Sequence, residues 1–112
     1  VNGKKVDTSY RIKSHDLFSH RAHRHEPAVP YHSKIDVIYE DEDMLVIDKP
    51  AGIPVHHCGQ CLYNTVMEIL KHERGYPELF SIHRLDRLVS GLLMIAKSRK
   101  VAASYHRLFE ER

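Results

Sequence analysis

The chain has 112 residues, which is enough for one small domain with a modest hydrophobic core. Its 42% hydrophobic and 29% charged residues are ordinary for a globular protein, and no apolar run approaches the roughly 18 residues of a membrane span, so no membrane partner is expected. Two cysteines are too few for a disulfide scaffold and favour a reducing, intracellular location, without distinguishing cytoplasm, nucleus and mitochondrion.

The net charge of +2 conceals an uneven distribution along the chain. Residues 1–34 hold seven lysines and arginines against three acids, residues 35–50 hold one against six, and residues 51–112 hold nine against six. Basic ends around an acidic centre are compatible with a polyanionic partner. Charge alone fits an ordinary solvated surface equally well, so any partner has to be inferred from motifs.

The beginning of the chain is predicted to be an extension rather than part of a core. Asn2-Gly3 is typical of a type I′ hairpin turn. The residues after it are polar, basic and rich in histidine, with one short strand expected at Tyr10–Ile12. A proline at position 30 marks a connector, and we place a domain boundary there, between residues 1–30 and residues 31–112.

After this boundary the pattern predicts an antiparallel hairpin. Ile35–Tyr39 and Met44–Ile47 are enriched in β-branched and aliphatic residues and are predicted to be its two strands. The acidic run Glu40–Asp43 between them carries too many like charges to be buried and is predicted to be the turn. Pro50 has no amide hydrogen for a strand ladder, so the second strand is expected to end before it.

A helix, two strands and a second helix are predicted to follow the hairpin. Asn64 is a helix N-cap candidate and Gly75 a stop signal. Leu79–Ile82 is a short strand candidate, and the apolar run Gly91–Ala96 is predicted to be a central strand covered on both faces. Ser98 is predicted to cap the last helix, whose apolar face comprises Val101, Tyr105, Leu108 and Phe109. This order predicts an α+β fold with a mixed or mainly antiparallel sheet and flanking helices.

The run His83-Arg84-Leu85-Asp86-Arg87, between two predicted strands, is the strongest candidate for chemistry. Two neighbouring cations favour the ionised form of Asp86 and lower its expected pKa. An ionised carboxylate is suited to act as a nucleophile or to stabilise charge. The alternative, an ordinary surface ion pair, fits the loop equally well. Ser90-Gly91 closes the loop, either as a close approach to a ligand or as a simple turn into the strand.

These residues resemble a known family. His83–Gly91 is similar to the H-R-L-D-x-x-T-S-G signature of the RluA-type pseudouridine synthases, and Asp48–His56 resembles their K-P-x-G segment. Two motifs in the same order make the resemblance specific, and it extends over about residues 35 to 112. It implies that residues 31–112 are the N-terminal part of a pseudouridine synthase catalytic domain.

The front of the chain carries narrower resemblances. Val1–Val6 resembles the end of the S4-like RNA-binding module of many members, so residues 1–30 are expected to be the tail of that module and a linker. His23–Val29 and His57-Cys58-Gly59 are similar to segments of the eukaryotic branch that modifies tRNA. The resemblance therefore favours tRNA as the partner, with ribosomal RNA as the alternative.

The resemblance implies that a uridine within RNA is isomerised to pseudouridine, with Asp86 as the nucleophile and without a metal or organic cofactor. The target base has to be flipped out of folded RNA. Arg84 matches the family position that fills the space the base leaves, and Arg87, Lys49 and His83 are the other predicted RNA contacts. Lys49 is also expected to support the loop from below. The predicted loop-support residues are Pro50, Gly52, Ser90 and Gly91. No obligate protein partner is expected.

Two departures from the family pattern affect these expectations. Val89 stands where the family has threonine, whose hydroxyl is able to bond to the loop backbone, so the loop is expected to be less rigid. The chain begins at Val1 and ends at Arg112 inside a predicted helix, so we interpret it as a piece of a longer protein. The family's active-site tyrosine and a later basic residue are expected beyond it, and residues 1–112 alone are predicted to be inactive.

Two other readings compete with this interpretation. The first is a zinc-binding module, because Cys58-x-x-Cys61 has metal-ligand spacing. Its remaining ligands would come from His56, His57, His23 and His25. No second pair at a usual distance follows the cysteines, which weakens this reading. The other is a catalytically inactive RNA-binding fragment or paralogue, which should tolerate Asp86→Asn.

Overall fold

The computed structural model describes residues 1–30 and 35–111, so the first four residues of the predicted second domain and Arg112 lie outside the described residues. Its strands and helices in chain order are β1 (Asp36–Glu40), β2 (Met44–Lys49), α1 (Val66–Arg74), β3 (Phe80–Ser81), β4 (Gly91–Ala96) and α2 (Arg99–Glu110). The strands form one antiparallel sheet in the order β1-β2-β4-β3. Helices beside an antiparallel sheet confirm the predicted α+β fold.

The acidic hairpin forms as predicted, except that Glu40, expected in the turn, is the last residue of β1 and pairs with Leu45. Strand β1 pairs with β2, and a bulge interrupts the register between Val37 and Tyr39. The turn is held by Asp41, whose Oδ1 accepts hydrogen bonds from the backbone N–H groups of Asp43 and Met44 at 2.8 and 2.7 Å. Short polar side chains that bond to nearby backbone favour turns, so the acidic run reverses the chain and stays exposed.

Strand β4 lies between β2 and β3 at the centre of the described sheet. Its side chains alternate between the faces: Leu93 and Ile95 are fully buried on the first face, whereas Met94 and Ala96 belong to the second. The prediction that this strand is covered on both faces is wrong at Leu92, which is 61% exposed. The described residues leave the second face open at that end.

Helix α1 contributes three buried side chains, Val66, Met67 and Leu70, to the core on the first face of the sheet. Burying an aliphatic side chain of this size stabilises the fold by about 1.5–3 kcal/mol. The buried cluster on this face consists of Ile35, Leu45, Ile47, Ile53, Val55, Val66, Met67, Leu70, Leu79, Leu93 and Ile95. This core fixes the ends of β2 and β4, between which the candidate site lies.

The start of α1 differs from the prediction by one residue. Thr65 is the N-cap, and its Oγ1 accepts a hydrogen bond from the Glu68 N–H at 3.3 Å. Asn64, the predicted cap, instead donates from Nδ2 to the carbonyl of Pro27 at 3.1 Å. Local propensity favoured Asn64 as the cap, but its side chain is engaged by a residue that is distant in sequence. The helix ends as predicted at Gly75, in the left-handed conformation with φ +69°.

Helix α2 begins as predicted at Ser98, whose Oγ accepts a hydrogen bond from the Val101 N–H at 3.2 Å. The helix packs on the second face, where Ala102 is buried and Val101 and Tyr105 pack around it. Leu108 and Phe109 are 58% and 45% exposed, so the predicted apolar face is only partly packed. Neither helix in residues 1–30 and 35–111 is long and apolar enough to cross a membrane.

Residues 1–30 contain no helix or strand. The predicted turn is confirmed, because Asn2 and Gly3 both have positive φ values, +50° and +80°. The strand expected at Tyr10–Ile12 is wrong. There the Asp16 carboxylate accepts hydrogen bonds from the Tyr10 hydroxyl at 3.0 Å and the Lys13 N–H at 2.8 Å, and such local bonds compete with strand pairing.

Candidate active site

Asp86 lies in the wall of a small open pocket of about 140 Å³. The pocket lies between the segment that follows β2 and the loop that precedes β4. Its lining residues are Pro54, Val55, His56, Cys58, Arg84, Leu85, Asp86 and Arg87. The structure therefore brings together the two sequence motifs that were singled out, although about 30 residues separate them in the chain.

Asp86 is exposed because successive side chains of its loop point alternately toward the core and toward solvent. Leu85 packs against the core on the first face, so its neighbours Arg84 and Asp86 are directed outward and are exposed. The Val89 N–H donates to the Asp86 carbonyl at 3.0 Å and closes a turn. Among the described residues, neither Arg84 nor Arg87 forms an ion pair with the Asp86 carboxylate. The carboxylate is therefore not locked into the surface ion pair that was the alternative reading.

Lys49, the last residue of β2, is fully buried. Its Nζ donates hydrogen bonds to the carbonyls of Pro50, Arg87 and Val89 at 2.9, 3.2 and 2.8 Å. Burial lowers the pKa of Lys49, while three carbonyl acceptors stabilise its ammonium group. The side chain thus joins the end of β2 to the Asp86 loop. A direct contact between Lys49 and RNA stays a prediction.

Gly52 and Arg87 form a second link between the same two segments. The Gly52 N–H donates to the Arg87 carbonyl at 2.7 Å, and Arg87 Nε donates back to the Gly52 carbonyl at 3.3 Å. Gly52 has φ +91°, and a Cβ at this position would lie 2.8 Å from Pro30 Cγ. Both the backbone conformation and the close approach therefore require glycine here. Ser90 is exposed, and Gly91 has φ +137° at the start of β4.

Val89 keeps its backbone fully bonded although it lacks the hydroxyl of the expected threonine. Its N–H donates to the Asp86 carbonyl and its own carbonyl accepts from Lys49. Its side chain is 45% exposed. The loop is therefore held through its backbone, and nothing in the described contacts indicates the looser loop that the departure predicts.

His83 is directed away from the pocket. Its Nε2 accepts a hydrogen bond from the Met94 N–H at 3.0 Å, and burial lowers the pKa of the imidazole. The ring lies beside an apolar patch on the second face of the sheet, formed with Val46, Leu92 and Phe109. His83 therefore has a structural contact in this conformation. Its predicted contact with RNA is not tested by this geometry.

His56 is a pocket residue that the motif analysis considered only as a metal ligand. Its Nδ1 is inaccessible to solvent and has no hydrogen-bond partner within residues 1–30 and 35–111. Burying such a group without a partner is costly, so a ligand that enters the pocket and shifts the ring enough to reach Nδ1 would gain a hydrogen bond there. The sequence gives one signal for it, since His56 ends the K-P-x-G segment.

Cys58 and Cys61 form a tight turn. Each N–H donates to the carbonyl of the other cysteine, at 3.2 and 2.9 Å, while Cys58 is exposed and Cys61 is buried. In the part of the chain that the structure describes, no three histidine, cysteine or acidic side chains are grouped to hold a metal ion. The zinc-binding alternative therefore finds no support in this arrangement.

Comparison with known proteins connects this site to one family. A family model described as RNA pseudouridylate synthase matches residues 43–112. RNA pseudouridine synthase 7 of Oryza sativa subsp. japonica is 44% identical over 110 residues, which are 98% of this chain and 28% of the relative. The tRNA pseudouridine(32) synthase, mitochondrial, of Saccharomyces cerevisiae is 44% identical over 102 residues, 91% of this chain and 22% of the relative.

Two solved structures resemble the fold. Human RNA Pseudouridylate Synthase Domain Containing 4 superposes with a TM-score of 0.55 and 33% identity, over 68% of this chain and 30% of that chain. Human RNA Pseudouridylate Synthase Domain Containing 1 superposes with a TM-score of 0.59 and 25% identity, over 73% and 30%. The chain spans less than a third of the length of these relatives.

Proposed function

Because the chain belongs to the RNA pseudouridylate synthase family, we propose that the protein containing it isomerises uridine to pseudouridine within RNA, with Asp86 as the nucleophile. One observation carries the proposal. The Asp86 carboxylate is exposed and free of ion pairs among the described residues, in a pocket that two arginines line. Lys49 supports the loop that holds it. A carboxylate that is free and held in place is suited to attack a substrate.

The reaction requires a nucleophile, a way to hold the base and an acceptor for one proton, and any bond that Asp86 forms to the substrate breaks again before pseudouridine leaves. Uridine and pseudouridine are isomers: the bond from the ribose to the base nitrogen breaks, and a bond from the ribose to a base carbon forms. The proton lost from that carbon is balanced by the proton gained on the released nitrogen. No electron is gained or lost, so neither a redox cofactor nor a metal is required by the balance.

Arg84 is proposed to act on the RNA rather than on the reacting bond. It is exposed at the Asp86 pocket, on the outward side of a loop anchored by Leu85. A guanidinium group is able to stack on bases and to bind phosphate. It is therefore suited to fill the space that a flipped uridine leaves in its helix. Arg87, whose Nε is tied to Gly52, is proposed as a phosphate contact and loop support.

We propose tRNA as the substrate, with ribosomal RNA second. The support is the name of two relatives in Saccharomyces cerevisiae, a tRNA pseudouridine(32) synthase and a tRNA pseudouridine(31) synthase, which are 44% and 37% identical to this chain. Two free cysteines agree with an intracellular location. We further propose residues 1–30 as the tail of an S4-like module with its linker, and residues 31–112 as the first part of the catalytic domain.

The test compares wild type with Asp86→Asn in the full-length protein that carries this chain, using a uridine-labelled tRNA pool and scoring pseudouridine. Loss of the nucleophile should lower turnover by about three orders of magnitude or more, while tRNA binding persists. The matched control is Asp36→Asn, at an exposed aspartate on edge strand β1. Full activity of Asp86→Asn would refute the assignment. A wild type that binds tRNA without modifying any uridine would favour the inactive RNA-binding reading.

A further inference from the structure

A second and larger groove, of about 660 Å³, lies beside the Asp86 pocket. Arg24 and His25 line it from the N-terminal segment, and His57, Gln60 and Tyr63 line it from the loop before α1. We call it the flanking groove. None of these five residues takes part in the reaction proposed for Asp86, so the groove requires an explanation of its own.

The flanking groove is held in shape by Glu26, which connects the N-terminal segment on one side to the loop before α1 on the other. The Glu26 carboxylate accepts hydrogen bonds from the N–H groups of Tyr63 and Asn64 at 2.8 and 2.9 Å. Burial works to raise the pKa of Glu26, but the hydrogen bonds from the backbone of that loop outweigh it, and the pKa lies below its usual value. The carboxylate thus joins the N-terminal segment, which carries Arg24 and His25, to the loop before α1.

One loop is the common wall of the pocket and the groove. His56 and Cys58 line the Asp86 pocket, whereas His57 and Gly59 line the flanking groove. Successive residues of this loop therefore face the two cavities in turn, and only its own thickness separates them. An RNA strand that places one nucleotide in the pocket is positioned to place the next nucleotide in the groove.

The groove also presents an aromatic side chain to solvent. Tyr63 is 69% exposed, on a backbone that Glu26 holds in place. A large exposed aromatic ring on a fixed loop has no role in the core. Together with a nearby guanidinium group, such a ring is the usual means of holding an unstacked base and its phosphate.

We propose that the flanking groove binds a single-stranded nucleotide next to the target uridine, with its base stacked on Tyr63 and its phosphate held by Arg24. This inference rests on the proposed function, because that function supplies the RNA and puts the uridine in the neighbouring pocket. It assigns to residues 24–26 and 57–63 a part in substrate recognition that is separate from the chemistry at Asp86.

The test measures binding and turnover of a short uridine-containing RNA by the full-length protein. Tyr63→Leu removes the ring and should raise Kd and KM about 5-fold or more, with kcat at saturating RNA unchanged. Tyr63→Phe keeps the ring and should behave as wild type. Arg24→Gln should reduce the slope of log Kd against log salt by about 0.7, the effect of one phosphate contact on single-stranded RNA. The exposed Arg21, three residues upstream and outside the groove, provides the control Arg21→Gln.

A matched change in the RNA makes the test specific. RNA that lacks the base on one side of the uridine should bind wild type more weakly, and Tyr63→Leu should then cause no further loss. The groove proposal is wrong if Tyr63→Leu and Arg24→Gln bind intact RNA as wild type does. It is also wrong if Tyr63→Leu weakens the binding of intact RNA and of RNA lacking a base by the same factor, whichever side of the uridine the missing base is on. If wild type modifies the RNA and the groove variants bind it equally well, the groove proposal is rejected and the proposed reaction stands. Base-dependent binding at Tyr63 without any turnover supports the groove and rejects the proposed reaction.

Discussion

At the scale of single residues, Lys49 is the side chain on which the position of the Asp86 loop depends most. Lys49→Met keeps much of the volume but removes all three donors and leaves the carbonyls of Pro50, Arg87 and Val89 without this partner. Loss of these partly buried hydrogen bonds from a charged group costs about 1–3 kcal/mol. Amide hydrogen exchange at Gly52 should therefore become about 5- to 150-fold faster in the full-length protein.

The control for this prediction is Lys97→Met. Lys97 also bonds to an acid and a backbone carbonyl, Glu40 and Asp41, but near the surface. An exposed pair contributes about 0–1 kcal/mol, so exchange at Gly52 should remain close to wild type. Equal effects of the two substitutions would mean that the loop does not depend on Lys49.

His56 allows the two nitrogens of its ring to be separated by substitution. Asparagine places an amide group near the position of Nδ1, whereas glutamine places it near Nε2. If Nδ1 bonds to the bound nucleotide, His56→Gln should lower kcat/KM by about 2- to 10-fold, the effect of one hydrogen bond, and His56→Asn should lower it less. Steady-state kinetics on tRNA would measure both. A larger loss for His56→Asn than for His56→Gln would contradict the assignment of Nδ1.

At the scale of elements, His83 fastens the start of the Asp86 loop to β4. Burial lowers its pKa below the ordinary value of 6.5, and its Nε2 accepts the Met94 N–H only when it is unprotonated. A folded-state pKa below the unfolded one means that the stabilisation is complete above about pH 6.5 and is lost as pH falls through the folded pKa. Exchange at the Met94 amide, corrected for its intrinsic pH dependence, should therefore lose protection as the pH falls below about 6.5.

His83→Gln provides the comparison for this pH dependence. The glutamine oxygen is able to accept the Met94 N–H near the position of Nε2, and it does not titrate in this range. Protection of that amide should then be nearly independent of pH. If wild type and variant lose protection in parallel, another group controls the loss and His83 is not responsible.

The elements that local pattern specifies were predicted correctly, and the exceptions have physical reasons. The hairpin, both helices and β4 follow from alternation, helical spacing and turn residues, which act over a few positions. Asn64 was expected to cap α1, but its side chain bonds to Pro27, far away in the sequence. The exposure of Leu92 depends on which residues cover the second face, and a pattern within one strand does not contain that information.

The candidate site also has features that the sequence predicted and features that it did not. The motifs identified Asp86 and its arginines, and the structure brings both motifs to one pocket. Sequence did not reveal that Nδ1 of His56 lacks a partner among the described residues, or that His83 is directed away from the pocket. Both facts concern the direction of a side chain in three dimensions, which residue identity and spacing do not determine.

At the scale of the whole molecule, side-chain hydrogen bonds and the packing of Val29 tie the described N-terminal segment to the sheet domain. Glu26 bonds to the N–H groups of Tyr63 and Asn64, and Asn64 bonds back to Pro27. Pro30 also approaches Gly52 beside the Asp86 loop. The predicted linker therefore lies against the candidate site, and its attachment affects the flanking groove as well as the position of the basic segment before it.

Glu26→Ala tests this attachment. Without the carboxylate, the Tyr63 and Asn64 amides lose their acceptor, so their hydrogen exchange should accelerate, and cleavage by trypsin at Arg21 and Arg24 should become faster. RNA affinity should fall because the flanking groove loses one side, while kcat at saturating RNA should stay close to wild type because Asp86 is held by Lys49 and Gly52. The control is Glu78→Ala, at an exposed acid before β3. Unchanged exchange at Tyr63 would show that other contacts hold the two parts together.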